Sequence, residues 1–202
     1  MTSVITGDII KSRDQNPEVW TGILKSALSE LNPNNSYWEI YRGDSFQIEI
    51  VDVSKSFLAA VYIKACIKME KGLDVRLAIG IGNKTYQGKE VSLSHGEAFI
   101  FSGETLDLLK KNKQNLQIKT SNNTINEELN LYFKLALTNM DHWTVNSAEI
   151  VKLSIENPYA LQETLAKQLG TKQDAISKRQ KRAGLENILA LNQMYQQKIS
   201  EL

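Results

Sequence analysis

The spacing of apolar residues along the chain changes several times, and each change marks an element. Val4-Ile5-Thr6 is a short β-branched run closed by Gly7-Asp8, which predicts a buried first strand. Trp20, Ile23, Leu24, Ala27, Leu28 and Leu31 recur at helical spacing, so 17–31 is an amphipathic helix with Asn16 as N-cap and Pro17 in the first position. Asn32-Pro33-Asn34-Asn35 ends it. Tyr37-Trp38-Glu39-Ile40-Tyr41 and Ser45-Phe46-Gln47-Ile48-Glu49-Ile50 alternate on either side of Arg42-Gly43-Asp44, the pattern of a β-hairpin. A helix is expected over 56–69, with Leu58, Val61, Tyr62, Ala65, Cys66 and Met69 inward and Cys66 a small buried hydrophobe. A strand over 73–81 ending in Gly80-Ile81-Gly82, a helix over 96–109 and a strand over 116–119 follow. This order predicts a mixed α/β (α+β) sandwich of the split-βαβ, ferredoxin-like kind, with its helices on one face of the sheet.

Beyond about Thr124 the pattern is helical only. Helices are expected over 127–143 (with Leu131, Leu135, Leu137 and Met140), 147–156, 161–169, 172–183 and 185–199, with Asn157-Pro158, Gly170 and Gly184 as breaks. The expected division is an α/β domain over 1–124, a helix over 126–143 that packs on it or links it, and an all-helical domain over 144–202. Leu185, Ile188, Leu189, Asn192, Tyr195 and Ile199 form a stripe that packs on the body or pairs with a second copy. Trp20 and Trp38 belong to the core, and His142 beside Trp143 is a hinge or packing residue.

The 202 residues are 42% hydrophobic and 23% charged, which excludes a disordered chain. The lone Cys66 excludes an intramolecular disulfide framework and a multi-cysteine zinc site. No apolar stretch is long enough to span a membrane, and the first residues lack the pattern of a signal peptide, so a cytoplasmic location is expected. The net charge of +1 hides an asymmetry: positions 160–202 hold seven basic and four acidic residues, and five of those cations fall between Lys172 and Arg182. A small basic module on a near-neutral body suggests a nucleic-acid partner.

Residues 161–184 have the layout of a helix-turn-helix. Ala166 is small where two helices cross, Gly170 permits a left-handed turn, and Thr171 is placed to cap the second helix. Ala175 and Ile176 would pack against Leu161, Leu165 and Leu169. The outer face is then Lys172, Gln173, Ser177, Lys178, Arg179, Gln180, Lys181 and Arg182. Gln and Ser can read base edges, and Lys and Arg can neutralise phosphates. The segment resembles the helix-turn-helix of sigma-factor and LuxR-type regulators in its Leu-Ala-x-x-Leu-Gly and Ala-x-Ser-x-x-x-x-Arg-Ala spacings. Double-stranded DNA is the expected partner and a homodimer the expected form, because paired half-sites are read by a symmetric pair.

Two carboxylates mark the α/β part. Asp8 follows the first strand and Asp44 sits at the hairpin tip, and a sheet that places the strand beside the hairpin brings both to one edge, where they would suit Mg²⁺ carrying a nucleotide. Lys11, Arg13, Arg42 and Arg76 could bind an anionic ligand, and His95 could serve as acid or base near that edge. Gly-Asp is equally ordinary turn chemistry, and Arg76 is equally a cross-strand charge.

The blocks at 4–13, 41–47, 76–82 and 92–104 resemble the SatD family of bacterial proteins, whose members are described as DNA-binding. The same blocks are more distantly similar to class III nucleotidyl cyclases and GGDEF domains. That likeness implies a cyclase-like sandwich with Asp8 and Asp44 as metal ligands and the backbone of Ile9 and Ile10 lining a phosphate site. Where a cyclase has its transition-state Asn and Arg, this chain has Ile100 and Glu104, and its hairpin has one acidic residue where GGDEF has two. Loss of those donors argues against cyclisation. No catalytic residue is assigned. The expected function is therefore a DNA-binding transcriptional regulator with a degenerate, ligand-sensing cyclase-like domain. The alternatives are a metal-dependent nucleotide-processing enzyme using Asp8 and Asp44, or a protein-interaction module.

Overall fold

The computed structural model describes every residue except Arg42. Among the described residues a five-stranded sheet has the order β2-β3-β1-β4-β7, built from β1 (Thr2–Ile10), β2 (Trp38–Tyr41), β3 (Ser45–Ile50), β4 (Asp74–Gly82) and β7 (Leu116–Lys119). β1 runs antiparallel to both β3 and β4, and β4 runs parallel to β7. The apolar run expected to stop at Gly7-Asp8 continues through it to Ile10. Gly7 is not a turn residue. A Cβ there would lie 2.6 Å from the Phe46 ring and 2.7 Å from the Arg76 carbonyl, so the glycine lets a ring and a neighbouring strand close on β1.

Alternation along the strands assigns the two faces. Ile5, Ile9, Phe46, Ile48, Leu77, Ile79 and Ile81 are buried on one side under α1 (Pro17–Leu31), α2 (Ser56–Lys68) and α4 (Asn123–Met140). Val4, Thr6, Ala78, Gly80 and Gly82 face α3 (Glu97–Asn112) on the other. The expectation of helices on one face is thus corrected. The crossover α3 must pass over the sheet between the parallel strands β4 and β7, and it takes the face that α1 and α2 leave free. Gly80 makes its approach possible, since a Cβ would meet the Ala98 carbonyl at 2.2 Å. A two-stranded sheet of β5 (Lys84–Tyr86) and β6 (His95–Gly96), not foreseen in the sequence, closes the far end.

Asn16 caps α1 by accepting from the Glu18 amide, as the sequence implies. α2 was expected to have one inward face but is buried nearly all round, because sheet, α1 and the C-terminal helices enclose it. Cys66 lies buried with Ala27 and Tyr62, and burial pushes its thiol up to about 11. In α4 the buried row is Ile125, Leu129, Phe133, Leu137 and Met140, while Leu131 and Leu135 point to solvent. The residue that fixes the phase of α4 is Phe133, stacked on Phe57 at 4.9 Å.

The C-terminal helices are α5 (Val145–Glu156), α6 (Gln162–Gln168), α7 (Gln173–Ala183) and α8 (Leu185–Ile199). The α8 stripe of Leu185, Ile188, Asn192, Tyr195 and Ile199 is buried against the body, so this chain itself covers the stripe; Leu189 stays exposed. Tyr195 packs beside Phe57 and donates its hydroxyl to the Val53 carbonyl at 2.8 Å. Trp143 donates its indole N–H to the Ala183 carbonyl at 2.9 Å, while His142 beside it is exposed. One hydrophobic core therefore runs from Ile5 to Ile199. No helix among the described residues is long and apolar enough to cross a membrane.

A buried ammonium ties α2 to the start of β4 and the end of α4. Lys64 on α2 is fully buried and donates to Asp74 and to Asp141, each at 2.7 Å. Lys68 one turn on donates to Asp74 at 3.0 Å and to the Asp141 carbonyl at 2.8 Å. Asp74 begins β4, and Asp141 ends α4. Removing one member of a buried charge set leaves the rest uncompensated. Lys64→Ala is expected to lower stability by about 3 kcal/mol in urea denaturation; a loss under about 1 kcal/mol would show that the two carboxylates are sufficiently hydrated without it.

Candidate functional site

Two polar regions stand out, the outer face of α7 and the Asp8 end of the sheet. The α6–α7 turn is made by Gly170, whose φ of +58° is the left-handed conformation a β-carbon disfavours. The Thr171 amide closes it by donating to the Ala166 carbonyl at 2.9 Å. Thr171 does not cap α7; Lys172 occupies the N-cap position, with no side-chain cap. Ile176 and Ala183 are the buried residues of α7, above Leu165 and Ala166 of α6 and against α5. Leu161, expected beneath them, is 71% exposed, and Ala175 is half-buried. Gly184, with φ +66°, ends α7 and starts α8.

Apolar residues thus occupy only one edge of α7, and most of the rest faces water. Lys172, Gln173, Ser177, Lys178, Lys181 and Arg182 are exposed. Two residues of the expected set are turned inward. Arg179 pairs with Glu149 of α5 at 3.0 Å, and Gln180 accepts from Gln162 at 2.8 Å and donates to Ser154 at 3.3 Å. They fasten α7 to α5 and α6, a role their positions in the sequence could not separate from an outward one. Lys178 is shared with Asp174 at 2.8 Å, an exposed i,i+4 pair worth only a few tenths of a kcal/mol.

At the sheet end Asp8 is paired across β1 with Ser45 and Arg76. Its carboxylate accepts from Arg76 at 3.0 Å and has Lys110 of α3 at 4.0 Å. Arg76 is therefore a cross-strand partner. Lys110 could not be foreseen, because only the tertiary crossing of α3 brings it there. Asp44 sits close enough to repel Asp8, and its carboxylate accepts from the Ser12 hydroxyl while its carbonyl takes the Ile9 amide at 3.0 Å. That uses the Ile9 amide expected to line a phosphate site. Lys11 and Arg13 are exposed on the turn after β1, Lys11 with φ +64°. Arg42 lies outside the described residues. His95 does not join the group. It is exposed and pairs with Tyr86 beyond the end of β4 where Gly82 meets Thr2, six residues along β1 from Asp8, roughly 20 Å at the rise of a strand. Ile100 is exposed on α3, and Glu104 pairs with Lys119 at 2.7 Å.

This donor set does not fit a resident Mg²⁺. Asp8 Oδ1 is buried without a hydrogen-bond partner, but the other oxygen is held by Arg76 with Lys110 nearby, and the Asp44 carboxylate is turned to the Ser12 hydroxyl. Among the described residues no third His, Cys, Asp or Glu completes a set. Arg76 of β4 and Lys110 of α3 thus pair with Asp8 of β1, and Asp44 holds the hairpin to the turn after β1 through Ser12. No family model, curated protein or solved structure matches the chain.

Burial holds the Asp8 carboxyl above the usual carboxylate range, against the lowering pull of Arg76 and Lys110 and with a further push from Asp44. A raised folded-state pKa makes the ionised folded form the disfavoured one, so stability falls as pH rises from the unfolded value of 3.8 through the folded value. Asp8→Asn removes that dependence. The melting temperature of the variant relative to wild type is expected to rise between pH 3.5 and 7; a relative decline would mean that the Arg76 pair dominates.

Proposed function

We propose that this chain is a SatD-like regulator that binds double-stranded DNA through α6 and α7, acting as a helix-turn-helix with α7 in the major groove. The body is read as a ferredoxin-like, cyclase-like sandwich that has become a scaffold. The observation that carries the reading is the distribution of side chains on α7. Only Ile176 and Ala183 are buried in its eleven residues, and Lys172, Gln173, Ser177, Lys178, Lys181 and Arg182 share the open side. An α-helix with its side chains is about 10–12 Å across, which matches a major groove about 12 Å wide. Lys181 and Arg182 would meet phosphates at one end and Lys172 at the other, with Gln173 and Ser177 between them toward base edges. The order 2-3-1-4 of the antiparallel strands supports the ferredoxin-like part of the reading, and the pairing of Asp8 with Arg76 and Lys110 supports a structural role for the sheet end.

Each phosphate neutralised contributes about −0.9 to the slope of log affinity against log salt concentration. Replacing Lys172, Lys181 and Arg182 together by Ala is expected to reduce the slope by about 3 for any duplex sequence. Arg179→Ala should leave the slope in place, because Arg179 is committed to Glu149. Fluorescence anisotropy on labelled duplex over a salt series measures both. An unchanged slope in the triple variant, or no duplex binding by wild type at low salt, would overturn the proposal.

A further inference from the structure

α4 carries an outer stripe that the fold of this chain does not use. Glu127, Leu131, Lys134 and Thr138 follow one another at steps of four, three and four residues, opposite the buried row from Ile125 to Met140. Leu131 is 55% exposed and Leu135 beside it 60%. Glu127 and Lys134 are both exposed, and among the described residues neither has an ion pair; the neighbouring Glu128 is taken by Lys198 at 2.6 Å. Beside the stripe α4 and α8 part to leave a groove of about 510 Å³, in which Ala136, Ile188 and Leu191 lie beside the polar Asn139, Lys181 and Asn187, with Met194 41% exposed. Two protruding leucines beside a partly apolar hollow form a surface that water covers poorly.

We infer that the outer face of α4 is a homodimer interface, with a second copy of this chain as its occupant. The argument is charge complementarity under a two-fold axis. If α4 crosses its symmetry mate antiparallel about the point midway between Glu127 and Lys134, which falls between Asn130 and Leu131, each residue meets the one equally far on the other side of that point. Glu127 of each chain then comes opposite Lys134 of the other, and Leu131 lies against its own copy, offset along the helix by about 1.5 Å. Both ion pairs form at once, since an isologous contact is made twice. A parallel crossing would set Glu127 against Glu127 and Lys134 against Lys134, so the charges select one orientation as well as one partner. Leu135 and the α8 rim flank the leucine contact and exclude water from it. The α8 stripe, which the sequence allows to pack on the body or to pair with a second copy, is buried inside the monomer, whereas this face of α4 is exposed.

The inference is independent of DNA binding and is tested without it. Sedimentation equilibrium of the full chain at micromolar concentration should give twice the 22.8 kDa mass of one copy. Glu127→Lys or Lys134→Glu alone places like charges opposite each other twice and should raise the dimer dissociation constant at least about tenfold. The double variant, with the charges exchanged, should recover the wild-type value. Both substitutions are on the surface, and an unchanged circular dichroism melt of all three variants confirms folding. A monomeric wild type, single variants that dimerise as well as wild type, or a folded double variant that fails to recover would each overturn the interface.

Discussion

A single ammonium group, Lys64 Nζ, decides how the C-terminal half sits on the sheet. It is inaccessible to solvent, and its charge is tolerable only because Asp74 at the start of β4 and Asp141 at the end of α4 both reach it. Asp74 and Asp141 belong to segments far apart in the chain, so the requirement to neutralise Lys64 fixes one against the other. From Asp141 the chain turns through Trp143, whose indole holds the last carbonyl of α7, and enters α5. Hydrophobic burial supplies the driving force along this seam, through Phe57, Phe133 and Tyr195, but it has no direction. The charged cluster gives it one, since an offset of one turn in α4 would withdraw Asp141 from the buried Lys64 and leave that ammonium with Asp74 alone.

The sheet end shows the same chemistry with a different outcome. Asp8 and Asp44 do converge, as a strand beside a hairpin requires, but they arrive with Arg76 and Lys110. A pair of carboxylates attracts a metal when the surrounding charge is negative; here Arg76 and Lys110 lie beside Asp8, and Asp44 is turned to Ser12. The desolvation that raises the Asp8 carboxyl is the energetic trace of packing a charge under α3, and Thr6, Ser102 and Gln47 continue the polar contacts along that face.

Much of the architecture was legible from spacing. The bounds of α1, β3, β7 and α8 follow from periodicity, caps and breakers, which act locally. What was not legible depended on tertiary contact. Gly7-Asp8 carries turn chemistry, yet the sheet overrides it because Phe46 needs the space. Leu131 and Leu135 look like core residues at helical spacing; which row of α4 turns inward is decided by Phe133 finding Phe57. Lys64 and Lys68 in a largely apolar helix were the local sign of a buried charge network, but the partners of Lys64 lie ten and seventy-seven residues away. On α7, the division between inward Arg179 and outward Arg182 depends on Glu149, which nothing in the local sequence announces.

The account rests on the exposed side of α7 being a surface for duplex. Amide NMR of the whole chain, titrated with a short duplex, tests this most directly. The account requires that the largest shifts fall on the α6–α7 turn and along α7 through Arg182, with the Asp8 end and the outer face of α4 unaffected. Shifts concentrated around Lys11, Arg13 and Asp44, or a spectrum that does not respond to duplex at low salt, would contradict it.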